Sequence, residues 1–438
     1  MKKLLIVLLT LCLFVLNGCS KESNDTSAPN VEDNISVVSD NYGYKDKLKE
    51  IDQYLFEVEE YTSLDYDVAD AFYAKANDNW DVGCSSISKI IDGKRFVGRN
   101  MDQSISYKCA YIVRTNAGKY KTVGLAYTHR DYSPDYEEIA EKGISEEFYK
   151  SLPFMCDDVL NDAGLHIEIN MRHGEYWPNG EDKFACSGTN PDSTHRVYMF
   201  EIPRYIGENC ATVEEAKEYV STLNVYSQNH YWNYCFLVSD SKGQSSLLEF
   251  SKDQVFWLDE DKIDTYDWLK VYNMKAIGQT NFYLSKLAWY AQDIKSGEGR
   301  FVTLQKGIDA VNSKNDMYDL MRKVQYSSFY LDYDECKNNH FDPRSENIGE
   351  VSWATYDLVM DPGFEEQAKE IINEINAGVK DMPRKEKQDL NVYWESIFTE
   401  VVDVYAKEIF VRLYENEDML YLIDLNTTTK LNSIDEWK

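Results

Sequence analysis

The chain is short of positive charge and of histidine. Its 46 lysines and arginines face 76 aspartates and glutamates, for a formal net charge of −30. That balance excludes a basic footprint for phosphates, so nucleic acid is not an expected partner. It also excludes electrostatic attraction to an anionic membrane surface. The apolar run near the start, residues 4–16, is too short to span a bilayer as a helix, which takes about 20 residues. There is no CxxC, and none of the six histidines stands beside cysteine at a zinc-like spacing. No metal and no cofactor are expected. No repeat appears, which excludes a solenoid. What remains is 43% hydrophobic and holds 33 tyrosines, enough for a large packed core under an acidic surface.

Membrane attachment has another source. "MKKLLIVLLTLCLFVLNGCS" places Lys2 and Lys3 before the apolar run and Gly18-Cys19 after it. This is the layout of a signal peptide, and its end resembles a bacterial lipobox. The resemblance implies cleavage before Cys19 and lipid on Cys19. The expected location is the bacterial cell membrane, with the body of the protein outside the cytoplasm. A plain secretory signal with an incidental cysteine is the alternative. Residues 1–18 then form the signal and 19–44 a polar flexible tether. Residues 45–83 form a helical leader, on the stripe of Leu48, Ile51, Leu55 and Val58. A domain fills 84–438. Homo-oligomerisation is left open. Cysteines 109, 156, 186, 210, 235 and 336 are read as buried free thiols.

After residue 84 the pattern turns to strand pairs. "AYIVRTNAGKYKTVGLAY", "NYCFLVSDSKGQSSLLEF" and "IFVRLYENEDMLYLIDL" each read as a hairpin. Thr212 and Glu215 form a capping box that opens a helix. Residues 300–311 and 317–324 also read as helices. Residues 66–80 have mixed helical character, and 365–375 with 386–410 read as a helical insert spanning about 360–410. Strand pairs mixed with helices, without βαβ alternation, imply an α+β fold on antiparallel sheets.

One stretch carries chemistry: "GCSSISKIIDGKRFVGRNMD", residues 83–102. Asp92-Gly93 is a two-residue hairpin signal. If 91 pairs with 94, then 84 lies opposite 101, and Arg99 and Asp102 arrive beside Cys84. From the residues alone, this is a catalytic thiol or a structural one beside an ion pair.

The same stretch resembles the start of the mature chain in the choloylglycine hydrolase family, which includes bile salt hydrolases and penicillin V acylases. The shared pattern is a cysteine, a hairpin and G-R-N-x-D, here Gly98-Arg99-Asn100-Met101-Asp102. Further similar segments follow in order: "NDAGLHIEIN" with Asn170, "FEIPRYIGEN", "GQTNFYL" with Asn281, and "GEGRFVTL" with Arg300. The resemblance implies an αββα N-terminal-nucleophile hydrolase sandwich, two antiparallel sheets between helical layers. It implies a cysteine amidase acting on linear, non-peptide C–N bonds of a small N-acyl amide. A terminal cysteine carries both a thiol and an α-amine of pKa about 7.7–8.0, so the residue supplies its own base. Cys84 has that amine only after self-cleavage at Gly83–Cys84. On this reading Asp102 holds the amine and Arg99 and Arg300 orient the groups and favour the thiolate. Asn281 bonds the amine or carbonyl, and Asn170 helps to stabilise the oxyanion.

Competing readings are a non-catalytic surface lipoprotein that binds a ligand or partner, and a Cys–His protease. Asn170 shares a strand face with His166 and Glu168, so a solvent-facing position is its alternative. Asn281 as a turn cap and Arg300 as the mere start of a helix are the others.

Overall fold

A computed structural model of the protein describes residues 42–67, 82–104, 109–127, 136–172, 183–227, 233–292, 295, 297–325, 327–329, 341–342, 359–360, 393–414, 416 and 418–437. Residues 1–18 and Cys19, read above as a signal and a lipidation site, lie outside them, as do most of residues 19–44 and residues 365–375.

Two sheets hold the described residues together. The first runs in the order Leu48–Asp52, Leu55–Val58, Ala110–Thr115, Thr122–Tyr127, Asp158–Asn161, Leu165–Arg172, Asn233–Asp240, Ser245–Ser251, Gln254–Asp259. The second runs Gly278–Gln279, Val82–Ile91, Lys94–Ser104, Tyr393–Asp403, Glu408–Leu413, Leu420–Asp424, Thr428–Leu431. Neighbours are antiparallel except where Leu55–Glu57 pairs in parallel with Ala110–Ile112. The three expected hairpins form, and the Thr212 hydroxyl caps its helix by accepting from Glu215 N at 3.1 Å.

The sheets lie face to face with helices outside both. The helix Ile202–Asn209 covers the first sheet, where Asn161 Nδ2 donates to Gly207 O at 2.8 Å. The helices Glu298–Gly307 and Lys314–Arg322 cover the second through an apolar cluster that includes Ile87, Leu304, Met317, Met321, Val401 and Phe410. Gly98 lets the last helix come close, because a Cβ there would stand 2.7 Å from Met321 Cγ. This is the αββα sandwich, and the face between the sheets is its polar one. Cys84, Ser86 and Ser88 alternate inward from the second sheet; His166, Glu168, Asn170 and Arg172 meet them from the first. Ser86 Oγ donates to Glu168 Oε1 across the gap at 2.5 Å.

Two segments expected to be helical are strands. Residues 48–58 form a hairpin whose turn residue Tyr54 takes a φ of 66°. The spacing of Leu48, Ile51, Leu55 and Val58 suits a helix, but pairing with Ala110–Ile112 overrides it, as tertiary context does for β-branched and aromatic residues. The supposed insert contains a central strand, Tyr393–Asp403, which pairs with the Arg99 strand over residues 96–104. Its Ile397, Thr399, Val401 and Val402 suit a pleated interior strand.

Candidate active site

The hairpin places Cys84 as the register argument required. Asp92 and Gly93 take φ of 48° and 78°, both positive as a type I′ turn needs. Ile91 faces Lys94, and Cys84 faces Met101. Cys84 is 1% exposed and its Sγ lies 3.5 Å from Met101 Sδ.

Four of the six expected residues form one hydrogen-bonded network. The Cys84 backbone N–H donates to Asn281 Oδ1 at 3.2 Å. Arg300 donates through Nη1 to Cys84 O at 3.0 Å and to Asp102 Oδ2 at 2.8 Å, and through Nη2 to Asn281 Oδ1 at 2.5 Å. Asp102 Oδ1 also accepts from Ser396 Oγ at 2.5 Å. Asn281 is fixed by its own donation to Met171 O at 2.8 Å. Thus neither Asn281 nor Arg300 is merely a cap or a helix start. The Cys84 nitrogen goes to Asn281, while Asp102 binds the arginine that holds the Cys84 carbonyl.

Arg99 sits on the other side, between the sheets. Its Nε lies 2.9 Å from Glu168 Oε2, and its Nη1 3.3 Å from Asp158 Oδ2 and 3.8 Å from Glu400 Oε1. Nη2 donates to Ile169 O at 2.8 Å. Asn170 is fully buried on this inner face, not at solvent. Its amide donates to Ser86 Oγ at 3.4 Å in one orientation, or to Glu168 Oε2 and Ile169 O, both at 3.0 Å, in the other. Only the first orientation ties it to Ser86, one inward position along from Cys84.

Burial sets the electrostatics. It pushes the Cys84 thiol up to about 12; Arg99 pulls back in part, while Asp102, Asp157 and Glu168 add to the rise. Arg99 favours the thiolate, but in the uncut chain desolvation and the surrounding carboxylates outweigh it. Burial opposes the Arg99 charge too, but Glu168 and Glu400 push the guanidinium up and keep it protonated. Burial also raises the carboxyls of Asp157, Asp158, Glu168 and Glu400, that of Asp157 to about 8.

Asp157, Asp158 and Glu400 went unread in the sequence, and Glu168 was read only as a neighbour of Asn170 on its strand face. The Asp157-Asp158 doublet ahead of an apolar strand was the available signal. Asp158, His166 and Glu400 could each offer a metal-ligand atom within 4.8 Å of the others. Arg99 already supplies a positive charge to both carboxylates. Burial, helped by Arg99, pushes the His166 imidazole down to about 3, so it is neutral.

Residues 84–297 match the family model of linear amide C-N hydrolases, choloylglycine hydrolase family. Over that stretch the chain is similar to a choloylglycine hydrolase domain. It is a hydrolase of linear amide C–N bonds. Among solved structures, two variants of the conjugated bile acid hydrolase from Clostridium perfringens are similar. Each is 15% identical with a TM-score of 0.41, covering 80% of this chain and 98% of that one. A penicillin V acylase from Agrobacterium tumefaciens is 13% identical with a TM-score of 0.36, covering 80% of this chain and 89% of that one. No curated protein matches the chain. Every residue of the four-membered network except Arg300 lies inside the matched part of the domain, and Arg300 follows it by three residues.

Proposed function

We propose that this hydrolase is a lipid-anchored cysteine amidase whose nucleophile, Cys84, is exposed by self-cleavage at Gly83–Cys84. The observation that carries the reading is the hydrogen bond from the Cys84 nitrogen to Asn281. Cleavage turns that nitrogen into an α-amine already held in place, with the Arg300 guanidinium alongside. A neighbouring positive charge disfavours the ammonium form, so the amine is kept neutral as a base.

In the cut, Cys84 Sγ attacks the Gly83 carbonyl carbon and the C–N bond breaks. The nitrogen leaves as the α-amine and a thioester forms. Water then hydrolyses it to the Gly83 carboxylate and the free thiol. In turnover Sγ attacks the substrate amide and the α-amine takes the thiol proton. The amine returns that proton to the leaving amine, and water releases the acyl group. Arg300 and Asn281 orient the terminus, Asp102 holds Arg300, and Asn170 with Ser86 stands on the Sγ side for the oxyanion. The substrate is a small N-acyl amide. Lipid on Cys19 holds the enzyme at the membrane.

N-terminal sequencing tests the cut: the chain begins at Cys84, and the Cys84→Ala protein stays uncut. The thiol of the uncut chain is protonated below about 12, so self-cleavage accelerates about tenfold per pH unit between pH 6 and 9. An active preparation with an intact Gly83–Cys84 bond overturns the mechanism. Screening amine release from bile salts, penicillin V and N-acyl amino acids identifies the acyl group.

A further inference from the structure

The segment before Cys84 is built into the fold. Leu55, Phe56 and Glu57 pair with Ala110, Tyr111 and Ile112, and the ladder continues beyond them. Ala110 N donates to Tyr54 O at 2.8 Å, Tyr61 N to Arg114 O at 3.0 Å, and Asn116 N to Tyr61 O at 2.7 Å. Leu55, Phe56, Val58 and Tyr61 are each at most 5% exposed. The strand beneath them, Ala110–Thr115, is buried at all six positions. Without the hairpin it becomes a long apolar edge, which folded proteins avoid.

The segment also ties the two sheets together. Arg114, 5% exposed, pairs with Glu57 and donates to Asp424 O at 3.0 Å, Thr427 O at 2.7 Å and Thr428 Oγ1 at 3.0 Å. It thus joins the leader to the last hairpin of the second sheet. Tyr421 Oη donates to Asp52 Oδ2 at 2.6 Å, Lys430 pairs with the same carboxylate, and Tyr414 Oη donates to Tyr54 O at 3.3 Å. Removing the leader would leave Arg114 without its carboxylate at the seam between sheets.

We infer that residues 42–67 are a permanent subunit of the enzyme rather than a discarded leader. The chain beginning at Cys84 keeps them as its edge hairpin, and the working enzyme is a non-covalent complex of two chains. This rests on the cleavage proposed above, and it explains how an enzyme cut away from its lipid-bearing segment stays attached to it.

The test separates the two ideas. In the uncut Cys84→Ala protein, a site-specific protease sequence inserted between residues 67 and 82 is nicked. The product is run on size exclusion, and its peak on a denaturing gel. Both fragments are expected in one folded peak at equal amounts, parting only in denaturant. A folded 84–438 peak without the leader overturns the inference. The self-cleaved wild-type protein is examined the same way. If it proves uncut, the cleavage proposal fails and the two-chain enzyme with it, while the nicked protein still decides whether residues 42–67 are a lasting part of the fold. Leu55→Asp in the nicked protein should increase loss of the leader from the peak at least tenfold, whereas Lys49→Ala, at an exposed position, should change nothing. Should the aspartate variant not fold, the nicked parent alone decides.

Discussion

Two buried arginines flank Cys84, and their surroundings differ. Among the described residues Arg300 pairs with one carboxylate, Asp102, and directs its other bonds to the Cys84 carbonyl and to Asn281. Arg99 stands within 4 Å of Asp158, Glu168 and Glu400 and interacts electrostatically with Asp157. The first holds the Cys84 backbone. The second is outnumbered by acids, so its region adds little net positive potential at the thiol. An arginine near a cysteine is therefore not evidence of a thiolate; burial first, and then the carboxylates behind it, decide.

The difference predicts unlike failures. Arg99→Met leaves three carboxyls buried without the charge they share, and losing one partner of a buried pair costs about 3–5 kcal/mol. Such a loss is a large part of a typical stability of about 5–15 kcal/mol. Urea unfolding at pH 7 should show it, with partial recovery at pH 5 as the acids take up protons. Arg300→Met should lose roughly 10²–10³ in kcat/KM, by analogy with removal of an oriented donor. Its stability cost should be smaller, because Asp102 keeps Ser396. Equal stability losses in the two variants would erase the distinction.

A smaller effect isolates the acid excess. The Asp157 carboxyl is raised from its ordinary 3.8 to about 8, and its Oδ2 has no hydrogen-bond partner among the described residues. Between those values the folded state holds a proton that the unfolded state has lost. The associated stability is complete below about pH 4 and disappears as pH rises through about 8. Asp157→Asn should remove this dependence. The variant and the wild-type protein should melt together at pH 4, and the variant should melt several degrees higher at pH 8.5. Parallel melting curves across that range would mean that Asp157 is not the titrating group.

The Cys84 side was more legible than the Arg99 side for a physical reason. A hairpin is local: Asp92-Gly93 determines the turn, the turn determines the register, and the register brings Arg99 and Asp102 to Cys84. The network of Asn281 and Arg300 came from ordered motifs, since no local rule joins residues two hundred positions apart. The acid layer needed the sheet-to-sheet packing, and period-two alternation cannot say whether a polar face meets water or another polar face. That ambiguity is why Asn170 had a solvent-facing alternative. Residues 48–58 and 393–403 were misread because apolar spacing alone does not show a neighbouring strand waiting to pair. Their β-branched and aromatic residues were the better guide.

The finest test concerns what holds the two arginines on their separate faces. Side chains alternate along a strand, so a one-residue slip of Lys94–Ser104 would turn Arg99 outward and bring Asn100 and Asp102 between the sheets. Either the turn or the flanking sheet could prevent this. Gly93 has a φ of 78° and open space where a Cβ would stand, so Gly93→Ala strains the backbone and clashes with nothing. The expected cost is about 1 kcal/mol. The sheet gives the strand a second partner in Tyr393–Asp403, and Asn100 Nδ2 donates to Met321 O at 2.8 Å in the helix outside. Those contacts should hold the register without help from the turn. The variant should therefore melt a few degrees lower with kcat/KM unchanged. A tenfold fall in kcat/KM would instead assign the register, and with it the separation of the two arginines, to the turn.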